Sequence, residues 1–122
     1  MGEYRLSPRA EHDLEEIWLY TEGRWSAAQA DRYTGALIDM IEELTANPAK
    51  GRPVDDIRPG YRKQPTGAHF IFYRQVHPGI EVIRILHQSM DVPARFSGPD
   101  QDGMKGSQKP TRFASWQKRT GE

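Results

Sequence analysis

Ala68-His69-Phe70-Ile71-Phe72-Tyr73-Arg74-Gln75-Val76 is followed, across His77-Pro78-Gly79, by Glu81-Val82-Ile83-Arg84-Ile85-Leu86-His87. Aromatic and β-branched side chains at this density fit a pleated, half-buried surface, and a Pro-Gly connection between two such runs marks a hairpin. A briefer run, Tyr61-Arg62-Lys63-Gln64, precedes them. The second half of the chain is therefore read as an antiparallel three-stranded meander. Strict alternation along the last run predicts Val82, Arg84 and Leu86 on one side and Glu81, Ile83, Ile85 and His87 on the other. The sheet then has one apolar face for covering helices and one partly charged face.

Upstream, the period changes. Ser7-Pro8 follows the short run Tyr4-Arg5-Leu6, and Pro suits the first turn of a helix that Ser7 caps. Ala10, Leu14, Ile17, Trp18 and Thr21 then recur at spacings of three and four, with Glu11, Asp13, Glu15 and Glu16 assigned to the opposite face, which predicts a helix to about Trp25. Ser26 is a second N-cap candidate. The stripe Ala27, Ala30, Tyr33, Leu37, Met40, Ile41 and Leu44 predicts a longer helix closing near Asn47-Pro48 and packing on the first as an antiparallel hairpin. Residues 50–60, rich in Pro, Gly and Asp, read as a connection. The predicted order is β-α-α-β-β-β, an α+β fold.

Composition narrows the function classes. At 122 residues the chain is long enough for one domain with a modest core. It has no Cys, which excludes disulfides, thiolate nucleophiles and Cys-rich zinc sites. The four His are scattered without metal-ligand spacing, and no phosphate-binding glycine loop is present. No stretch has the length of a signal-peptide core or a membrane span, so a soluble, unexported protein is expected. Zero net charge conceals segregation: residues 1–49 carry ten acids and four bases, residues 50–97 eight bases and four acids, and the remainder five bases and three acids. A dipolar surface of this kind selects partners by charge. Residues 97–122 hold Met104, Phe113 and Trp116 as their sizeable apolar groups, and a flexible polar tail following a domain at residues 1–96 is expected.

The run Tyr61-Arg62, His69 to Arg74 and Ile80 to Phe96, ending in Ile85-Leu86-His87-Gln88 and Met90-Asp91, resembles the C-terminal half of the ParE family of toxins in the RelE/ParE superfamily. Leu6-Ser7-Pro8-Arg9-Ala10 with Asp13-Leu14 and Ile17-Trp18 resembles the opening of the same family, so the likeness spans residues 4–96. It implies a cytoplasmic bacterial toxin that poisons DNA gyrase by binding. It also implies a cognate ParD-like antitoxin whose C-terminal segment wraps over helices and sheet in a hetero-oligomer, with no cofactor. The expected surface for target or antitoxin is Arg62, Lys63, Arg74, His87, Asp91, Arg95 and Phe96, with no catalytic or metal-binding residue.

The alternative within the superfamily is a RelE-like, ribosome-dependent mRNA endonuclease. Attack by an RNA 2′-hydroxyl needs a base, cations for the developing charge and an acid for the leaving oxygen. Arg62, Lys63 and Arg74 supply candidate cations and His87 a candidate proton-transfer group. Met90, Val92 and Phe96 stand where a second proton-transfer group is sought, unless Asp91 or His69 fills that role. The structural alternatives are an ion pair for Arg74 and Arg84 with Glu81 or the acidic helices, and a turn-capping role for His87 with Asp91. A regulatory relative without toxicity and a nucleic-acid-binding module remain further readings, with direct nucleic-acid binding the less expected.

Overall fold

The structure, a computed structural model, describes residues 3–90 and Phe96. Strand β1 (Tyr4–Leu6) leads into helices α1 (Pro8–Arg24) and α2 (Ala27–Ala46). Strands β2 (Arg52–Pro53), β3 (Tyr61–Thr66), β4 (His69–Gln75) and β5 (Ile80–His87) follow. They form one sheet in the order β1-β5-β4-β3-β2, with β1 parallel to β5 and every other pair antiparallel. The predicted strand, helical hairpin and meander are all present. The connection at residues 50–60 also contributes a two-residue strand, pairing Arg52 with Lys63 and Pro53 with Arg62.

Both predicted caps form. Ser26 Oγ accepts the Gln29 N–H at 3.0 Å. Ser7 Oγ accepts the Ala10 N–H at 3.0 Å and donates to the Ile83 carbonyl at 2.8 Å, so one hydroxyl both starts α1 and ties it to β5. The apolar stripe of α1 is buried as predicted, and Asp13 is buried with it. That placement corrects the assignment of Asp13 to the solvent face. In α2 the buried set is Ala30, Thr34, Leu37, Ile38, Ile41 and Leu44, with Tyr33 and Met40 partly covered and Ala27 exposed. Trp18 Nε1 donates to Asp31 Oδ1 at 2.8 Å and joins the two helices.

Asp13 is buried because β1 is too short to pair the whole of β5. Beyond Val82 the edge of β5 is finished by side chains of the segment that follows β1. Ser7 Oγ takes the Ile83 carbonyl, and Asp13 Oδ2 accepts the Ile85 N–H at 2.9 Å. The same carboxylate accepts Arg84 Nε at 2.8 Å and Arg84 Nη2 at 2.9 Å, a two-pronged buried ion pair. The expected pairing of Arg84 with an acidic helix is therefore present, and it sits inside the fold. Burial pushes the Asp13 carboxyl above its ordinary range, against the pull of the Arg84 guanidinium and the Ile85 N–H.

The predicted alternation along β5 fails at one place. Phe72 lies opposite Arg84 and Tyr73 opposite Val82, leaving Ile83 without a partner across the ladder, a β-bulge. Ile80, Val82 and Ile85 consequently join the core under the helices, whereas Ile83 and Leu86 join a second cluster with Val54, Tyr61, Phe72 and Phe96. An extra residue in one strand is invisible to a period-two count. The second cluster also corrects the partly charged face expected away from the helices: much of that face is apolar and covered. The Phe96 ring meets Phe72 and Tyr61 at centroid distances of 5.2 and 5.8 Å, and Arg58 Nη2 donates to the Phe96 carbonyl at 3.0 Å.

At the β4–β5 hairpin, Gly79 has φ of +83° and lies against the Glu3 backbone carbonyl where β1 enters the sheet. A Cβ there would overlap that carbonyl, so glycine is required by both conformation and space. Tyr73 anchors the α2–β2 connection, its hydroxyl accepting the Gly51 N–H and donating to the Pro48 carbonyl, each at 2.8 Å.

Candidate functional site: an apolar groove beside the turn between the helices

The seven predicted contact residues do not form one surface. Arg62 donates to the carbonyls of Gly51 at 2.6 Å and Ala49 at 3.3 Å, bracing the connection after α2. Lys63 Nζ stands 4.2 Å from the centroid of the Phe70 ring. Arg74 pairs with Glu81 across β4 and β5 at 2.8 Å, one of the two expected ion-pair arrangements, and Arg5 approaches the same carboxylate at 3.9 Å. Phe96 is 4% exposed, so its ring serves packing and offers no free surface. Asp91 and Arg95, like the tail at residues 97–122, lie outside the described residues. His87 is exposed at the end of β5. Its described partner is Ser89, whose N–H and Oγ lie 3.1 and 2.8 Å from Nδ1, so the turn there is closed by Ser89.

His87 opens onto a different feature. Where α1 gives way to α2, a groove of about 730 Å³ runs between the helices and the ends of β4 and β5. Ile17, Tyr20, Trp25, Tyr33, His69, His87 and Met90 contribute to its walls. Tyr20, Trp25 and Met90 are 66%, 63% and 40% exposed. Large apolar side chains gathered this way on a folded surface mark a place where something binds. Tyr20 and Trp25 were legible as aromatics off the buried stripe of α1, a signal the stripe itself obscured.

The groove has a polar floor. Tyr33, on α2, accepts the Ala68 N–H at 2.9 Å and lies 2.7 Å from His69 Nδ1. The hydroxyl thus bridges the β3–β4 turn and the His69 ring. Gly67, at φ +59°, makes this approach possible, since a Cβ there would lie 2.6 Å from the Tyr33 hydroxyl oxygen. Burial, and then the nearby His87, lowers the His69 pKa to about 4. Burial raises the Tyr33 hydroxyl above its ordinary value, opposed by the Ala68 N–H. His69 and His87 face each other across the ladder with ring centroids 5.2 Å apart. This brings two potential proton-transfer groups together, which the sequence offered only as separate candidates.

Among the described residues lining the groove there is no Lys or Arg, and the one carboxylate is that of Glu16. No cluster of three or more metal-ligating side chains occurs among the described residues. Nor is any helix among them long and apolar enough to cross a membrane.

Known proteins share this architecture. The family profile described as the ParE toxin of type II toxin-antitoxin system, parDE, matches residues 4–92. The chain is 51% identical over 90 residues to Toxin ParE1 of Mycobacterium tuberculosis, covering 73% of this chain and 92% of that protein. It is 46% identical over 96 residues to Toxin ParE1 of Caulobacter vibrioides, covering 79% of this chain and 99% of that one. Among solved structures, a chain of the chromosomal ParDE TA system from P. aeruginosa matches with a TM-score of 0.62 at 21% identity, over 71% of this chain and 96% of that chain. With the profile spanning most of the sequence and both relatives matched over nearly their whole length, the chain belongs to the ParE toxin family of type II toxin-antitoxin systems.

Proposed function

We propose that this chain acts in the cytoplasm by binding DNA gyrase without making or breaking bonds, and that a ParD-like antitoxin restrains it in a hetero-oligomer by seating an apolar segment in the groove. The observation that carries the antitoxin assignment is the open wall of Tyr20, Trp25 and Met90 beside the helical hairpin. Helix-in-groove recognition reads such walls through apolar anchors at spacings of three and four. Family membership supports a toxin-antitoxin pairing, and the ParDE title of the structural neighbour is in keeping with it.

The dispersal of the cations favours binding over catalysis. Arg84 is committed to Asp13, Arg74 to Glu81 and Arg62 to loop carbonyls, while the two histidines sit in a groove whose described lining lacks a cation. A site that cleaves RNA needs base, acid and cation converging on one phosphate. For the gyrase contact we assign Lys63, with Asp91 and Arg95 of the sequence beyond β5.

Two measurements test this reading. Purified chain should inhibit gyrase supercoiling and accumulate cleaved DNA complexes, and should leave message on translating ribosomes intact. Cleavage of ribosome-bound message that disappears in His87→Ala, with gyrase unaffected, would establish the endonuclease instead. For the groove, Tyr20→Ala with Trp25→Ala should abolish co-purification of the antitoxin while leaving thermal stability within about 1 kcal/mol, because both side chains are exposed.

A further inference from the structure

Apolar recognition by Tyr20, Trp25 and Met90 leaves the His69–His87 pair of the same groove unused. The two are cross-strand partners, and their rings are nearly perpendicular at 5.2 Å. Each is held by its Nδ1. The Tyr33 hydroxyl lies 2.7 Å from His69 Nδ1, and the Ser89 N–H donates to His87 Nδ1 at 3.1 Å. The Ser89 contact suits neutral imidazole, in which Nδ1 accepts.

The groups facing the pair offer little to stabilise a positive charge. From α1 come Glu16 and Tyr20, from α2 Gln29 and Tyr33, and from the end of β5 Ser89 and Met90. Glu16 is the one carboxylate among these described lining residues. It lies 3.4 Å from His12 and is largely exposed, where water screens it. While the groove is open, solvent reaches His87 and hydrates an imidazolium. Once a segment covers the groove that hydration is lost, and burial of a charge without a partner strongly disfavours the charged form.

We propose that occupation of this groove is coupled to the protonation of the His69–His87 pair: an apolar segment docks on the neutral pair, and docking weakens in acid. The coupling deepens the groove reading given above and rests on it. The proton acts chiefly through His87, the exposed ring, because His69 is already kept neutral by its burial and its neighbour. Excluding one proton from a covered imidazole weakens docking as pH falls, by on the order of tenfold in Kd between pH 7.5 and pH 5.5.

The experiment uses the full chain and Nile red, an uncharged apolar dye, titrated by fluorescence at pH 7.5 and pH 5.5, with circular dichroism confirming the fold at both. The expected result is binding that Trp25→Ala removes, that weakens about tenfold at pH 5.5, and that becomes insensitive to pH in His87→Gln. Equal affinity at both pH values, tighter binding in acid, or an unchanged pH response in His87→Gln overturns the coupling while leaving the groove intact. Dye binding that ignores Trp25→Ala, or no dye binding at all, overturns the groove itself and the coupling with it.

Discussion

Replacing Asp13 by Ala removes, in one step, the carboxylate that accepts Arg84 Nε, Arg84 Nη2 and the Ile85 N–H at 2.8–2.9 Å. Both ionic side chains are only 10% exposed, so water cannot readily replace the lost partner. Breaking a buried pair by deleting one member costs about 3–5 kcal/mol, and an orphaned buried N–H costs about 1–3 kcal/mol, the two overlapping because the same local opening relieves both. A net loss of about 4 kcal/mol is expected, a large part of the roughly 5–15 kcal/mol typical of a domain. Urea unfolding followed by circular dichroism measures it as a fall in midpoint at constant slope. Asp13→Ala with Arg84→Met removes the stranded charge as well and should recover about half of the loss, leaving the cost of the Ile85 N–H. A loss below about 1 kcal/mol for Asp13→Ala, or simple additivity of the two substitutions, refutes the assignment of Asp13 as the finishing edge of the sheet.

Other outcomes follow from the same contacts. Ser7→Ala removes a helix cap and a buried hydroxyl donor to Ile83 together and should cost about 1–3 kcal/mol, read from the urea midpoint. Gly79→Ala forces a side chain into a left-handed residue pressed on the Glu3 carbonyl; a loss of at least about 1–2 kcal/mol is expected, with amide exchange fastest in β1. His69 has a folded pKa of about 4 against an ordinary 6.5. The unfolded chain therefore binds the proton first, and the stability His69 contributes is present above pH 6.5 and is lost as pH falls towards 4. His69→Gln should flatten that part of the profile in unfolding midpoints taken at pH 7.5, 5.5 and 4.5, by less than the full shift implies because the ring is partly open to water.

The order of elements was legible because each rests on a local rule. Ser7-Pro8 and Ser26 start helices through their own hydroxyls and backbone geometry, and the stripe Leu14-Ile17-Trp18-Thr21 needs one face buried whatever it meets. The burial of Asp13 was not legible, since a lone acid on a helix gains a reason to be buried only when the edge of β5 lies beside it. The outer core escaped for a similar reason. Val54, Tyr61, Phe72, Ile83, Leu86 and Phe96 come from separate runs and converge only after the bulge shifts β5. Cations gave the least information about the site. Arg62 and Arg74 read as parts of a contact surface, yet each is bound within the fold, while the groove is announced by Tyr20 and Trp25, apolar groups on surfaces that need none.

The unpartnered residue at Ile83 has an effect that reaches past packing. Had β5 kept step from Ile80 to its end, position 87 would have pointed away from the hairpin, and the ring opposite His69 would be a leucine's methyl groups instead of an imidazole. The irregularity at Ile83 is thus what sets His87 opposite His69. Deleting Ile83 itself would leave that facing pair in place, along with the first three positions of the strand and their seam with β1.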